Sequence, residues 1–312
     1  MAYEEITWRC DGHDFSVGLD RAGTGPLVLL LPALSSISTR REMQPLQEQF
    51  ARLFSTVSID WPGFGELPKP FVDWRPEIYE AYLTHLLTHV VPNPTVVVAA
   101  GHAAGYVLKH FARHEQGAER LVLLSPTWRG PLPTMVGGDR ALFPKIAKAV
   151  DPPFLGPMLY GLNVNRVVIG MMARGHVYAD PTWLNRPRME AKLAVTRVQG
   201  ARHASIRFVT GRLDPFRSRE EQLVTVQRIA VPMLNLFAEA APAKSRLEME
   251  ALAALPNVKT VRLPRGKLSF YEEFPEEAAV VVSTFLASPA EIDRLTGAGQ
   301  PAIQMAVAPA RG

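Results

Sequence analysis

The pentapeptide Gly101-His102-Ala103-Ala104-Gly105 lies between the apolar run of residues 96–100 and a helical pattern at Val107, Leu108 and Phe111. A strand, a tight turn and a helix are predicted, with the side chain of Ala103 held above the turn. A serine there would be a nucleophile; a methyl group has no lone pair to offer. Lys267 acts as a base only where burial beside apolar groups disfavours its ammonium, and not where it lies at a rim with its head in water. Glu239 either reaches Lys267 as an ion pair or stands in an exposed loop. Asp214, in GRLDPF, is either a displaced acid or a local cap, and the Asp-Pro pair followed by RSREEQL favours the cap. His85 with His89, and His110 with His114, have the i, i+4 spacing of a metal pair. Neither pair has the acid of an H-E-x-x-H arrangement, so solvated helix faces are expected rather than a metal site.

These residues need elements to hold them. The segment EITWRCDGHDFSVGLDRAG alternates in polarity on both sides of Asp11-Gly12, which predicts a hairpin. Buried-strand runs at residues 27–31, 57–59, 96–100 and 121–124 alternate with helical patterns around 43–54, from Pro76 onward, and after the turn at Ala103. Parallel strands need a helix to return the chain, so this order predicts an α/β fold: a mostly parallel central sheet with helices on both faces. The alternation stops near Trp128. Residues 128–226, rich in Pro, Gly, Met and Arg, are expected to form an inserted cap between a first core part (1–127) and a second (227–287). Residues 288–312 lack periodicity and are expected to be a flexible tail.

Hydrophobic residues make up 47% of the 312, enough to bury a full core. The start, MAYEEITWRC, has no apolar leader, and no run approaches the roughly 18 apolar residues of a membrane span, so a cytoplasmic protein without a transmembrane segment is expected. Cys10 is the only cysteine, which excludes an intrachain disulfide and a cysteine-rich zinc site. A net charge of +4 with dispersed Lys and Arg speaks against nucleic acid as a partner. No cofactor is called for.

Four segments in order resemble the α/β-hydrolase superfamily over roughly residues 5 to 287. LLLPALSS resembles the loop after the third strand that helps form the oxyanion hole, with Ala33 and Leu34 at the backbone-donor positions. DWPGFGELPKP is similar to the D-x-x-G-x-G-x-S-x-x-P loop, with Leu67 in place of the serine. GHAAG resembles the nucleophile elbow, and LPRGKLSFYEEFPEEAAVVVSTFL the closing G-H-x-x-x-x-E-x-P segment. The resemblance implies a serine, a histidine and an acid. This chain presents Ala103, Lys267 and Ala241 in those places. His102 then packs behind the turn, and Tyr271, Glu272 and Glu273 start the last helix.

The resemblance therefore implies the fold of a hydrolase with a vacant triad: a pseudohydrolase that binds a small apolar molecule or a protein partner. The expected ligand site comprises Ala33, Leu34, His102, Ala103, Ala104, Glu239 and Lys267, roofed by the cap methionines Met158, Met171 and Met172. Packing of those methionines onto the core is the plainer role. Two other readings stay open: altered chemistry through Lys267 or Tyr271 as acid or base, and an ester hydrolase built on Ser35 or Ser36.

Overall fold

The computed structural model describes residues 1–114 and 117–287; the expected tail at 288–312 lies outside the described residues. Strands β1 (Ala2–Cys10) and β2 (His13–Ala22) form the predicted hairpin, turning on Asp11 and Gly12, whose φ angles of 49° and 78° give the twist that a two-residue hairpin needs. Strands β3 (Leu27–Leu31), β4 (Ser55–Ile59), β5 (Val96–Ala100), β6 (Arg120–Leu124), β7 (Met233–Ala238) and β8 (Val258–Leu263) complete an eight-stranded sheet of order β1-β2-β4-β3-β5-β6-β7-β8. β1 and β2 are antiparallel to their neighbours, and all later pairs are parallel.

Side-chain alternation along each central strand divides the core in two. On β5, Val97 and Ala99 join a cluster with Leu29, Leu31, Leu121 and Leu123, while Val96, Val98 and Ala100 join Val28, Leu30, Val122 and Leu124 on the opposite face. Helices Pro76–His85 and Ala103–Phe111 cover the first face, and helices Gln44–Phe50 and Pro275–Leu286 the second. Both faces are thus dry, which is why these strands read as continuous apolar runs.

Between β6 and β7 the chain forms only helices among the described residues, from Pro131–Val136 to Arg219–Gln227. At the sheet's carboxyl edge, buried Arg40 is the hub that orders the loops. It pairs with Asp20 at 2.9 Å, Asp60 at 3.0 Å and Glu66 at 2.9 Å, so the loop after β3 and the glycine loop after β4 are held to one cation.

Candidate functional site

The sharp turn after β5 is built around Gly101, two residues before the position expected from the glycine spacing. The strand runs through Ala100, and Gly101 takes a φ of +52°, the left-handed region open to a residue without a Cβ. Its N–H donates to the Leu124 carbonyl at 2.8 Å, and its own carbonyl accepts from Thr127 at 3.0 Å. Ala103 already opens the helix Ala103–Phe111 and has no exposed surface; it is not among the non-glycine residues of positive φ, which are Asp11, Asn93 and Ser125 among those described. The expectation that Ala103 stands exposed above the turn is therefore corrected: its methyl group belongs to the core cluster with Leu34 and Ala104. Gly105 has a different reason to be glycine, since a Cβ there would meet the Pro215 ring at 2.6 Å.

The polar chemistry near this turn comes from a residue outside every sequence motif. Glu42, fully buried in the 3-10 turn Arg40–Met43, accepts the Ala33 N–H at 2.6 Å and the Tyr271 hydroxyl at 3.2 Å. The ammonium of Lys192, from helix Arg186–Thr196, lies 4.0 Å from Glu42 and 3.4 Å from Glu272. Glu272 in turn accepts the Tyr178 hydroxyl at 2.8 Å. Burial pushes the Glu42 carboxyl up to about 7, with Lys192 pulling it down and Glu272 pushing it further up. Burial and these carboxylates also hold the Tyr271 phenol well above its ordinary range, so it is a donor and not a base at neutral pH. Two residues of the helical segment and three of the core thus form one buried network. The reading of Tyr271 and Glu272 as mere helix-starting residues is corrected accordingly.

The other expected residues are dispersed. Lys267 donates to the Arg174 carbonyl at 2.6 Å, and Leu268 and Ser269 donate their N–H groups to His176 and Val177, so this loop clasps the helical segment. Glu239 is exposed and makes no ion pair with Lys267 among the described residues. Ala241 packs with Phe237, Met249 and Leu268 in a small apolar cluster. Met158 and Met171 are exposed and Met172 is half-buried, whereas Leu34 of the loop after β3 and the turn residues Ala103 and Ala104 are buried, so the methionines do not roof an open space at the turn.

His102 is buried and neutral: desolvation lowers its pKa to about 4, and its Nε2–H donates to the Leu213 carbonyl at 2.8 Å. Asp214 stands 3.6 Å away, but burial raises its carboxyl to about 8, so the two do not form an ion pair at neutral pH. Asp214 accepts the Gly130 N–H at 2.8 Å and does not cap the following helix, as the sequence suggested; Ser218 does, because its side chain meets the Glu221 N–H. Ser35 bonds to Ser38 at 2.7 Å and Ser36 to Ser205 at 2.5 Å, with no histidine partner for either among the described residues. The paired rings of His85 and His89, and of His110 and His114, lie 5.0 and 4.5 Å apart, and no cluster of three or more metal-ligating side chains occurs among the described residues.

Residues 28–282 match the family model described as Alpha/beta hydrolase family. The chain belongs to that family. Among solved alpha/beta hydrolase-like structures, a thermophilic esterase from Thermogutta terrifontis is similar at 19% identity and a TM-score of 0.68, covering 92% of this chain and 98% of that one. A bromoperoxidase from Bacillus anthracis is similar at 15% identity and a TM-score of 0.67, covering 91% and 99%. The epoxide hydrolase CorEH is similar at 14% identity and 0.63, covering 91% and 98%. None of the curated proteins matches the sequence. At these identities the likeness carries the fold and not the chemistry.

Proposed function

We propose that this alpha/beta hydrolase-family chain is a pseudohydrolase: it does not run serine-hydrolase chemistry and acts by binding a small molecule or a protein partner. The observation that carries this reading is the 2.6 Å hydrogen bond from the Ala33 N–H to the Glu42 carboxylate. Ala33 occupies an oxyanion-hole donor position of the family, and a developing oxyanion needs that N–H free and aimed at it. With that N–H already donated to Glu42, whether its carboxyl is ionised or protonated, the hole lacks a free donor for the developing charge.

The triad positions support the same reading. Whether the nucleophile position is taken as Ala103, from the glycine spacing, or as Gly101, from the turn, no hydroxyl or thiol stands there. In the register set by Gly266 the base position is Lys267, and in the register set by Glu273 and Pro275 it is Leu268; neither is a histidine. Leu268 packs in the cluster that holds Ala241, so an apolar contact replaces a His–Asp hydrogen bond.

The test is a pair of measurements on the purified chain. Short-chain aryl esters should not be turned over, and a fluorophosphonate probe should leave the mass unchanged. A stable adduct on any serine near the turn overturns the reading. Native mass spectrometry of the same sample then identifies what co-purifies.

A second reading has one observation in its favour. Glu42, with its carboxyl near neutrality between Lys192 and Tyr271, has the poise of an acid or base for a lyase or isomerase. It predicts turnover that Glu42→Gln abolishes, whereas the binding reading predicts that Glu42→Gln leaves ligand retention intact.

A further inference from the structure

Helices Leu155–Asn163 and Arg166–Met172 carry more apolar surface than their packing uses. Gly156 and Tyr160 on the first, and Ile169 and Gly170 on the second, face the interior. Leu155, Met158 and Leu162, spaced three and four residues apart, form a separate exposed stripe on the first helix, and Val167 and Met171 are exposed on the second. Phe154, just before the first helix, is 93% exposed. A helix pair serving only to cover a core would turn such residues inward; an outward apolar stripe marks a surface meant for a partner.

Two adjoining clefts flank this stripe. One, of about 550 Å³, has Pro157 and Gly161 on one wall and Arg166, Arg197 and Arg202 among its other residues. The second, of about 390 Å³, shares Arg166 and adds Arg174 and Arg186 beside Val167. No carboxylate lines either cleft. Glu190 pairs with Arg166, while Arg174, Arg186 and Arg197 make no ion pair among the described residues. Residues 152–202 contain seven Lys and Arg against Asp180 and Glu190, a net +5 in a chain whose total is +4. Five of these cations, Arg166, Arg174, Arg186, Arg197 and Arg202, line the two clefts, whereas Lys192 faces the buried Glu42 and Glu272.

We propose that this face docks on an anionic phospholipid bilayer, with the apolar stripe entering the interface and the arginine clefts receiving headgroup phosphates. Both halves of the surface are needed for that partner: an interfacial helix combines a buried apolar stripe with basic neighbours. A second copy fits less well, because self-contact would press like charges together. Nucleic acid would leave Phe154, Leu155, Met158, Leu162 and Val167 without a role. This inference does not rest on the pseudohydrolase reading and survives its failure.

The experiment is sedimentation of the full chain with vesicles of equal parts phosphatidylglycerol and phosphatidylcholine, and with phosphatidylcholine alone. Binding to the anionic vesicles is expected, weakened about tenfold or more by omitting the anionic lipid, by Phe154→Ser with Leu162→Ser, or by Arg174→Glu with Arg197→Glu. The substituted side chains are exposed, so thermal midpoints should stay within a few degrees of the parent; Met158→Ser with Val167→Ser replaces the first pair if it loses its fold. Absence of vesicle binding overturns the proposal. So does equal binding by parent and both paired variants, a dimer that the serine variants dissolve in place of vesicle binding, or DNA binding indifferent to those serines.

Discussion

Gly101 and Ala33 meet across the carboxyl edge of the sheet so closely that a methyl group on Gly101 would come 3.1 Å from the Ala33 Cβ. The turn and the loop after β3 are therefore set against each other, leaving little room for an added side chain at the apex.

Rebuilding a nucleophile should fail at both candidate positions. Gly101→Ser places an L-residue at φ +52° against Ala33 and should cost about 1–3 kcal/mol of stability. Ala103→Ser buries a hydroxyl in the core cluster, at a comparable cost unless it finds a partner. Neither variant gains an imidazole to take the proton. Stopped-flow assays with an activated ester should show no burst; a burst in either variant would reveal an unrecognised base.

The Glu42 carboxyl makes stability depend on pH in a defined direction. Its folded pKa, about 7, lies above the ordinary glutamate value, so the native state holds the proton that the unfolded chain releases. The contribution favours folding below the unfolded pKa and is lost as pH rises from about 4.5 to about 7, by roughly 2–3 kcal/mol. Asp60 and Asp214, raised to about 6 and about 8, act in the same sense, while His102 and His110, lowered to about 4, oppose it. The parent-minus-variant difference for Glu42→Gln, from urea unfolding at successive pH values, isolates Glu42. It should slope across that window, and a flat difference would show that its proton affinity is ordinary.

Ala241→Asp should be costly alone, because it adds a carboxylate to a cluster of Phe237, Met249 and Leu268. A loss of about 2–4 kcal/mol is expected, partly recovered when Leu268→His supplies a partner. A double-mutant cycle should give a favourable coupling of about 1 kcal/mol or more. Simple additivity would mean that the two side chains do not meet.

Arg40→Met should destabilise by about 3–5 kcal/mol, since it leaves the buried Asp60 and its neighbour Asp20 without their shared cation. Adding Asp60→Asn should recover part of the loss, a recovery visible in the chemical denaturation midpoint.

Most of the sheet is legible in the chain because burial on both faces leaves a mark on consecutive residues. Residues 27–31 and 96–100 are strands to the residue, and Pro76 and Pro275 open helices as their missing N–H groups suggest. Glu42 left a weaker mark. It lies four residues before Leu46 and eight before Phe50, so a carboxylate falls on the buried side of a helical pattern. Nothing local marks Lys192 or Tyr178, whose meeting with Glu272 depends on how the helical segment docks.

By itself the sequence determined the alternation of strand and helix, and with it the fold, because hydrophobic periodicity is a property of neighbours along the chain. It also determined that no hydroxyl or thiol stands at either candidate apex. Tertiary structure alone decided where the turn's apex falls, since Gly101 and Gly105 fit one spacing but serve a left-handed φ and a close approach to Pro215 respectively. It alone decided that Glu42 takes the Ala33 N–H and that Met158 and Met171 face outward. A short helix with apolar residues on two sides has no local rule for which side is buried; the docking partner settles it, and that partner is distant in sequence.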